Sequence, residues 1–94
     1  MVRTFYEMKH FTKKWQDLGF TDDELSQLQQ VLLENPKAGD VMKGTGGLRK
    51  VRFAFPGSGK SGSVRVCYID IEGVLEIHLI DVFCQERKRE FIKG

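Results

Sequence analysis

The chain has 94 residues, of which 40% are hydrophobic and 30% charged, with a formal net charge of +2. These values are typical of one soluble globular domain, and we expect residues 1–94 to form a single unit. No apolar run is long enough to span a bilayer and no signal-peptide pattern opens the sequence, so we expect a cytoplasmic protein without a membrane partner. Cys67 and Cys84 lie in apolar, strand-like sequence without C-x-x-C spacing, which favours buried free thiols.

Positive charge is concentrated in the middle of the chain. Residues 36–66 hold one acid, Asp40, against seven cations: Lys37, Lys43, Arg49, Lys50, Arg52, Lys60 and Arg65. Both flanking segments are net acidic. A local concentration of charge creates a field that the whole-chain charge hides, so the pattern favours a polyanionic partner. Cations that only keep an exposed sheet soluble would give the same pattern.

The first half of the chain predicts a strand followed by two helices. Residues 2–8 are typical of a short strand, and residues 9–18 have apolar side chains at helical spacing, with Gly19 at the helix end. Thr21 and Glu24 form a capping box at the start of the second helix, which Asn35-Pro36 ends. The apolar stripe of that helix consists of Leu25, Leu28, Val31 and Leu32.

From Gly39 onward, alternating side chains predict an antiparallel sheet. Residues 44–47 predict a turn, and residues 48–55 and 63–71 are predicted strands, because apolar residues recur with period two. The predicted apolar side carries Val51, Phe53, Phe55, Val64, Val66 and Tyr68. The predicted opposite side carries Lys50, Arg52, Arg65 and Cys67. Such a sheet has one face for the helices and one cationic face open to water.

Glu72-Gly73 predicts a two-residue hairpin turn, after which residues 74–83 return antiparallel. This register would place Cys67 opposite His78 and Arg65 opposite Ile80. It sends Leu75, Ile77, Leu79 and Phe83 to the apolar side, and Glu76 and His78 to the cationic side. A Cys67–His78 nucleophile–base pair is then conceivable, although a core thiol beside a solvated imidazole is the more common arrangement.

Two kinds of site are disfavoured by the sequence. Residues 54–61, AFPGSGKS, match a loose form of the nucleotide-binding P-loop, but that motif needs a helix after Lys-Ser, and here Gly62 and a strand pattern follow. We therefore expect no nucleotide cofactor and interpret Lys60 as a cation at a hairpin tip. Neither His10 nor His78 has the spacing for three convergent ligands, so we expect no metal site.

The order of these elements resembles the RelE/ParE toxin superfamily, and most closely its HigB-like branch. The resemblance covers nearly the whole chain and is strongest between Thr21 and Glu86. It rests on Asn35-Pro36 and on residues 44–52 (GTGGLRKVR), 57–62 (GSGKSG) and 63–68 (SVRVCY). It implies an α+β fold, in which a two-helix hairpin packs on one face of a small, mainly antiparallel sheet of four to five strands.

The resemblance also implies an activity: a type II toxin that enters the ribosomal A site and cleaves mRNA without a metal or other cofactor. Attack of a 2′-hydroxyl on the adjacent phosphate requires a base, cations for the developing charge and an acid for the leaving oxygen. Lys50 and Arg52 match the basic pair of the family, and Arg65 matches its phosphate-contacting arginine. The implied RNA-binding candidates are Arg49, Lys60, Arg87 and Phe91. The implied partners are the ribosome, mRNA and a cognate antitoxin, often one with a helix-turn-helix domain.

The sequence departs from the family pattern where proton transfer is concerned. RelE carries an arginine just after the last strand and a tyrosine in the closing segment, where this chain has Gln85 and Phe91. The lysine and asparagine of many HigB-like members are also missing from this region. Phe91 can stack on a base but cannot exchange a proton. His78 and Arg87 are the remaining candidates for the general acid or base.

Two other functions remain open. A ParE-like inhibitor of DNA gyrase would bind without catalysis, and the missing tyrosine agrees with it, whereas the cationic pair and Arg65 argue against it. A basic RNA- or ribosome-binding domain of the same fold that has lost cleavage is the other alternative.

Overall fold

The computed structural model describes residues 2–54 and 64–84, and within them two helices pack on a five-stranded sheet. The elements are β1 (Thr4–Glu7), α1 (Lys9–Asp17), α2 (Asp22–Glu34), β2 (Asp40–Val41), β3 (Arg49–Phe53), β4 (Val64–Ile71) and β5 (Glu76–Cys84). The strand order is β1-β5-β4-β3-β2. β1 runs parallel to β5, and the other neighbours are antiparallel. The α+β prediction is confirmed.

The first helix is held by aromatic packing. Phe11 and Trp15, one turn apart, are buried and stack with ring centroids 5.6 Å apart. Trp15 Nε1 donates to the carbonyl oxygen of Thr21 at 3.0 Å, which ties α1 to the start of α2. Gly19 follows the helix with φ of +86°, a left-handed conformation that glycine adopts without steric cost, so the chain can reverse there.

The second helix begins with the predicted capping box. The Thr21 hydroxyl accepts from the Glu24 amide at 3.2 Å, and the Glu24 carboxylate accepts from the Thr21 amide at 2.9 Å. Leu28 and Leu32 are fully buried, and Leu25 packs at the margin of the core. Val31, the fourth member of the predicted stripe, is exposed. The stripe is therefore narrower than the apolar pattern predicted.

The core lies between the helices and one face of the sheet. Its sheet side consists of Phe53, Val64, Val66, Tyr68, Ile77, Leu79 and Val82. The Tyr68 hydroxyl donates to the Pro36 carbonyl at 2.8 Å and accepts from the Gly39 amide at 2.9 Å. Gly39 lies against β3, where a Cβ would approach the Lys50 carbonyl to 2.9 Å. These contacts fix the chain between α2 and β2 against the centre of the sheet.

The hairpin between β4 and β5 differs from the prediction. The chain turns through a 3₁₀ turn, Glu72–Val74, and Leu75 in a left-handed conformation, φ +56°, instead of a two-residue turn. Ile69, not Cys67, therefore lies opposite His78, and Leu75 is exposed in the turn. The predicted register is wrong because four residues, rather than two, separate the paired positions Ile71 and Glu76.

A β-bulge changes the second half of β5. Tyr68 pairs with Leu79 but Cys67 pairs with Asp81, so Ile80 is the extra residue. An extra residue reverses the alternation beyond it, because side chains on a strand have period two. Val82 is consequently buried in the core, and Phe83 pairs with Arg65 on the opposite face. The predicted placement of Phe83 in the core is wrong, as is the pairing of Arg65 with Ile80.

Both cysteines are free thiols, but only Cys67 is buried; Cys84 is exposed, against the prediction. Across residues 2–54 and 64–84, no helix is long and apolar enough to cross a membrane.

Candidate nucleic-acid interface

We call the sheet surface opposite the helices the open face. Register arranges its side chains in three rows across the strands. The first row is Arg52, Arg65 and Phe83; the second is Lys50, Cys67 and Asp81; the third is Ile69, His78 and Tyr6. Adjacent strands lie about 4.8 Å apart and successive rows about 6.8 Å apart. The predicted trio of Lys50, Arg52 and Arg65 therefore occupies two neighbouring rows.

The first row places two arginines directly opposite each other. Arg52 on β3 pairs with Arg65 on β4, and cross-strand partners have Cβ atoms about 5 Å apart. Two cationic side chains at this separation can both reach one anion that lies over them. Guanidinium groups bind phosphate in a bidentate manner, which makes a phosphodiester a fitting anion.

The second row contains a lysine, a thiol and a carboxylate. Cys67 is 6% exposed, and burial raises the pKa of its thiol, so it stays protonated at neutral pH. Since Cys67 pairs with Asp81 and His78 pairs with Ile69, a Cys67–His78 nucleophile–base pair is also excluded by register. Lys50 Nζ lies 5.7 Å from the centre of the Phe83 ring, within cation–π range.

The first helix contributes a cation that sequence reasoning missed. Lys14 Nζ lies 3.4 Å from Asp81 Oδ1 and 5.8 Å from the centre of the Phe83 ring. His10 Nε2 lies 3.1 Å from the same carboxylate oxygen. The sequence did contain a signal for this contact, because aspartate is rare inside strands and Asp81 lies within a predicted one. In the structure Asp81 Oδ1 also accepts a hydrogen bond from the Val82 amide, beside the bulge.

His78 lies on the open face, as predicted, but in the third row. Its Nε2 is 2.9 Å from Glu76 Oε1, and its ring stacks on Tyr6 with centroids 5.0 Å apart. Two row spacings, about 13 Å along the strand, separate it from the row of Arg65. Arg65 and His78 can therefore act on one substrate only if that substrate extends along β4 and β5.

Arg49 belongs to the other side of the sheet. Arg49 is two residues from Val51 on β3, so both side chains point to the same face, and Arg49 pairs with the buried Tyr68 on β4. Its Nη1 donates to the carbonyl oxygens of Gly39 at 2.6 Å and Lys37 at 3.5 Å. The structure thus separates Arg49 from the open face and uses it to hold the chain that precedes β2.

Lys60, Gln85, Arg87 and Phe91 lie outside the described residues, as does the P-loop-like segment after Ala54. Among the residues that are described, no three histidine, cysteine or acidic side chains come together as a metal site would require.

The fold is similar to that of the Escherichia coli toxin RelE. Three solved structures of the Escherichia coli protein RelE resemble the chain, each at 22% sequence identity. The match to the toxin in the intact RelBE toxin–antitoxin complex has a TM-score of 0.67 and covers 92% of this chain and 100% of that one. The match to isolated RelE has a TM-score of 0.67 and covers 93% and 88%. The match to a double arginine-to-alanine mutant of free RelE has a TM-score of 0.65 and covers 87% and 82%. No protein-family model matches the sequence.

Proposed function

We propose that the chain is a toxin of a type II toxin–antitoxin system, of the HigB-like kind, which cleaves mRNA on the ribosome. The observation that carries this proposal is the adjacency of Lys50, Arg52 and Arg65 on the open face of a RelE-like fold. Its proposed partners are the ribosome, mRNA and an antitoxin, in line with the RelBE complex among the similar structures.

In the proposed reaction the arginine pair binds the scissile phosphate. A 2′-hydroxyl gives up its proton and attacks the phosphorus, and the bond to the 5′-oxygen of the next nucleotide breaks. The products are a 2′,3′-cyclic phosphate and, after the leaving oxygen takes up a proton, a 5′-hydroxyl end. Charge on the phosphate oxygens increases in the transition state, so cations already held in place lower its energy more than that of the ground state. Lys50, one row away from Arg52 and Arg65, adds a third positive charge at this position.

His78 is the proposed proton-transfer group among the described residues. Its contact with Glu76 would hold the imidazole ring in one orientation, and an imidazole can both accept and donate a proton. Because His78 lies about 13 Å from the arginine row, the reacting ribose would lie over the second row, between the two. Arg87, outside the described residues, stays the alternative.

The test is primer extension on a message incubated with the purified protein, with and without translating ribosomes. We expect cuts only when ribosomes are present, and a loss of about 10²- to 10³-fold in cleavage rate for Lys50→Ala and Arg65→Ala. His78→Gln should lower the rate by about 10²- to 10⁴-fold if it transfers the proton. Lys43→Ala is the matched control, because Lys43 is an exposed cation in the loop between β2 and β3.

Cleavage that survives Lys50→Ala and Arg65→Ala would show that the phosphate site is elsewhere. If Lys50→Ala and Arg65→Ala lose cleavage but His78→Gln retains it, a group other than His78 transfers the proton. Growth arrest with intact messages and DNA damage signalling would favour gyrase as the target. RNA binding without cuts or arrest would favour the domain that has lost cleavage.

A further inference from the structure

We propose that Phe83 is a stacking platform for a base of single-stranded RNA, with Lys14 of α1 holding an adjacent phosphate. This inference rests on the proposed function only in taking RNA as the polyanion. It adds a base-binding position and a helix residue to a site that otherwise consists of strand cations.

The position of Phe83 on the sheet suits this role. An aromatic ring after a bulge could have remained in the core, but here Val82 fills the core position and Phe83 is half-buried on the open face. It is the direct cross-strand neighbour of Arg65, so its ring lies beside the proposed phosphate site. An aromatic side chain on the face of a sheet, next to cations, suits an unpaired base, which presents a flat π-surface.

The Phe83 ring is also surrounded by positive charge. Lys14 Nζ and Lys50 Nζ come within 5.8 Å and 5.7 Å of the ring centre from different elements, α1 and β3. Lys14 also contacts Asp81, and this ion pair keeps its ammonium group over the Phe83 ring. Two ammonium groups near one aromatic ring, whose cross-strand neighbour is an arginine, match a nucleotide, because the ribose that carries each base is linked to a phosphate on either side.

Single-stranded RNA is favoured over a duplex by the same geometry. A base can stack on Phe83 only if it is unpaired and turned toward the protein, whereas a duplex presents phosphates and hides the faces of its bases. An acidic protein segment would use the cations but would gain nothing specific from the ring. The two classes of partner therefore differ in how much they depend on Phe83.

The test is binding of purified protein to a short single-stranded RNA that carries 2-aminopurine, whose fluorescence falls when it stacks. We expect quenching with the wild type and with Phe83→Tyr, and none with Phe83→Leu. Phe83→Leu should weaken binding by about 5- to 100-fold, the range found when a stacking aromatic is removed. The same strand with abasic sites should bind the wild type and Phe83→Leu equally.

Lys14→Gln should reduce the slope of log affinity against log salt by about 0.7, the value for one phosphate contact with a single strand. Lys13→Gln is the matched control, because Lys13 lies next to Lys14 on α1 but pairs with Asp17. Tyr6→Leu is the control for Phe83, since Tyr6 is an exposed aromatic in the third row.

Equal RNA affinity and quenching for the wild type and Phe83→Leu would overturn the inference, even if ribosome-dependent cuts are found. Quenching that depends on Tyr6 instead of Phe83 would overturn it as well. Quenching that depends on Phe83 without any cleavage would support this inference and contradict the proposed nuclease. If Phe83→Leu does not fold, Phe83→Tyr still tests the inference, because it keeps the aromatic ring. Phe83→Tyr must then bind the RNA and quench the 2-aminopurine fluorescence.

Discussion

Tyr68 is the buried residue that joins the centre of the sheet to the segment after α2. Its ring is fully buried, and its hydroxyl bonds with the backbone of Pro36 and Gly39. Burial raises the pKa of this hydroxyl, in agreement with a phenol that stays protonated and donates. The hydroxyl thus satisfies one carbonyl and one amide that have little access to water.

We expect Tyr68→Phe to reduce the free energy of unfolding by about 1–3 kcal/mol, because it leaves a buried donor and a buried acceptor unpaired. Urea unfolding followed by circular dichroism measures this loss. Tyr6→Phe is the matched control, since the Tyr6 side chain is exposed and should change stability by less than about 0.5 kcal/mol. Equal losses for the two variants would show that the hydroxyl contacts of Tyr68 contribute nothing specific.

Individual site residues were predictable from the sequence only as far as alternation holds. Period two places Lys50, Arg52 and Arg65 on one face, and the structure agrees. The same rule places Arg49 with Val51, so alternation already indicated that Arg49 turns away from the other cations. Phe83 could not be placed this way, because the single extra residue at Ile80 lies within apolar strand sequence and reverses the pattern without a glycine or proline to mark it.

Among the elements, helix starts were the most predictable. The capping box of Thr21 and Glu24 is local, so four consecutive residues contain all of its chemistry. The β4–β5 hairpin was less predictable, because Glu72-Gly73 suits a two-residue turn and the left-handed conformation of Leu75 is uncommon for a residue with a side chain. Packing of the strands, which is not local, decided the turn length.

Thr21→Ala should destabilise the protein by about 1 kcal/mol, because the amide of Glu24 loses its side-chain acceptor. Ser26→Ala, an exposed change of similar size in the middle of α2, is the control and should be neutral or slightly stabilising. Thermal unfolding of both variants and the wild type at one pH gives the comparison. A Thr21→Ala protein as stable as the Ser26→Ala protein would mean that the cap adds nothing to α2.

At the scale of the whole molecule, an ionic cluster joins segments far apart in sequence. Asp70 Oδ1 accepts from Arg3 Nε at 2.7 Å, and Lys37 Nζ lies 3.4 Å from Asp70 Oδ2 and 3.0 Å from Glu72 Oε2. The Asp70 side chain is 1% exposed. The hydrogen bond from Arg3 lowers the pKa of this carboxyl, with a further contribution from Lys37. The cluster holds β1, the chain after α2 and the end of β4 together.

Stability should therefore fall in acid. A carboxyl group whose pKa is lower in the folded than in the unfolded state binds fewer protons when the protein is folded. Its contribution to the free energy of unfolding is therefore complete above its unfolded-state pKa of about 4. That contribution is lost as the pH falls below this value. Unfolding free energies measured from neutral pH to about pH 2.5 should show a decline that Asp70→Asn reduces. Asp70→Asn should also cost about 1.5–3 kcal/mol at neutral pH.

Asp17→Asn is the matched control for acid stability, because Asp17 is an exposed partner of Lys13 on α1. It should leave the decline at low pH nearly unchanged. If the stability of Asp70→Asn falls at low pH as much as that of the wild type, other carboxyl groups cause the acid sensitivity.

The bulge in β5 also determines how this strand tolerates a change in length. Losing one residue from a regular strand turns every later side chain to the opposite face. Here Ile80 is already in excess over the partner strand, so a chain without it would pair regularly and still direct Val82 inward and Phe83 outward. A single-residue gap at this point, in a comparison of proteins with this fold, is therefore compatible with an unchanged core and an unchanged open face.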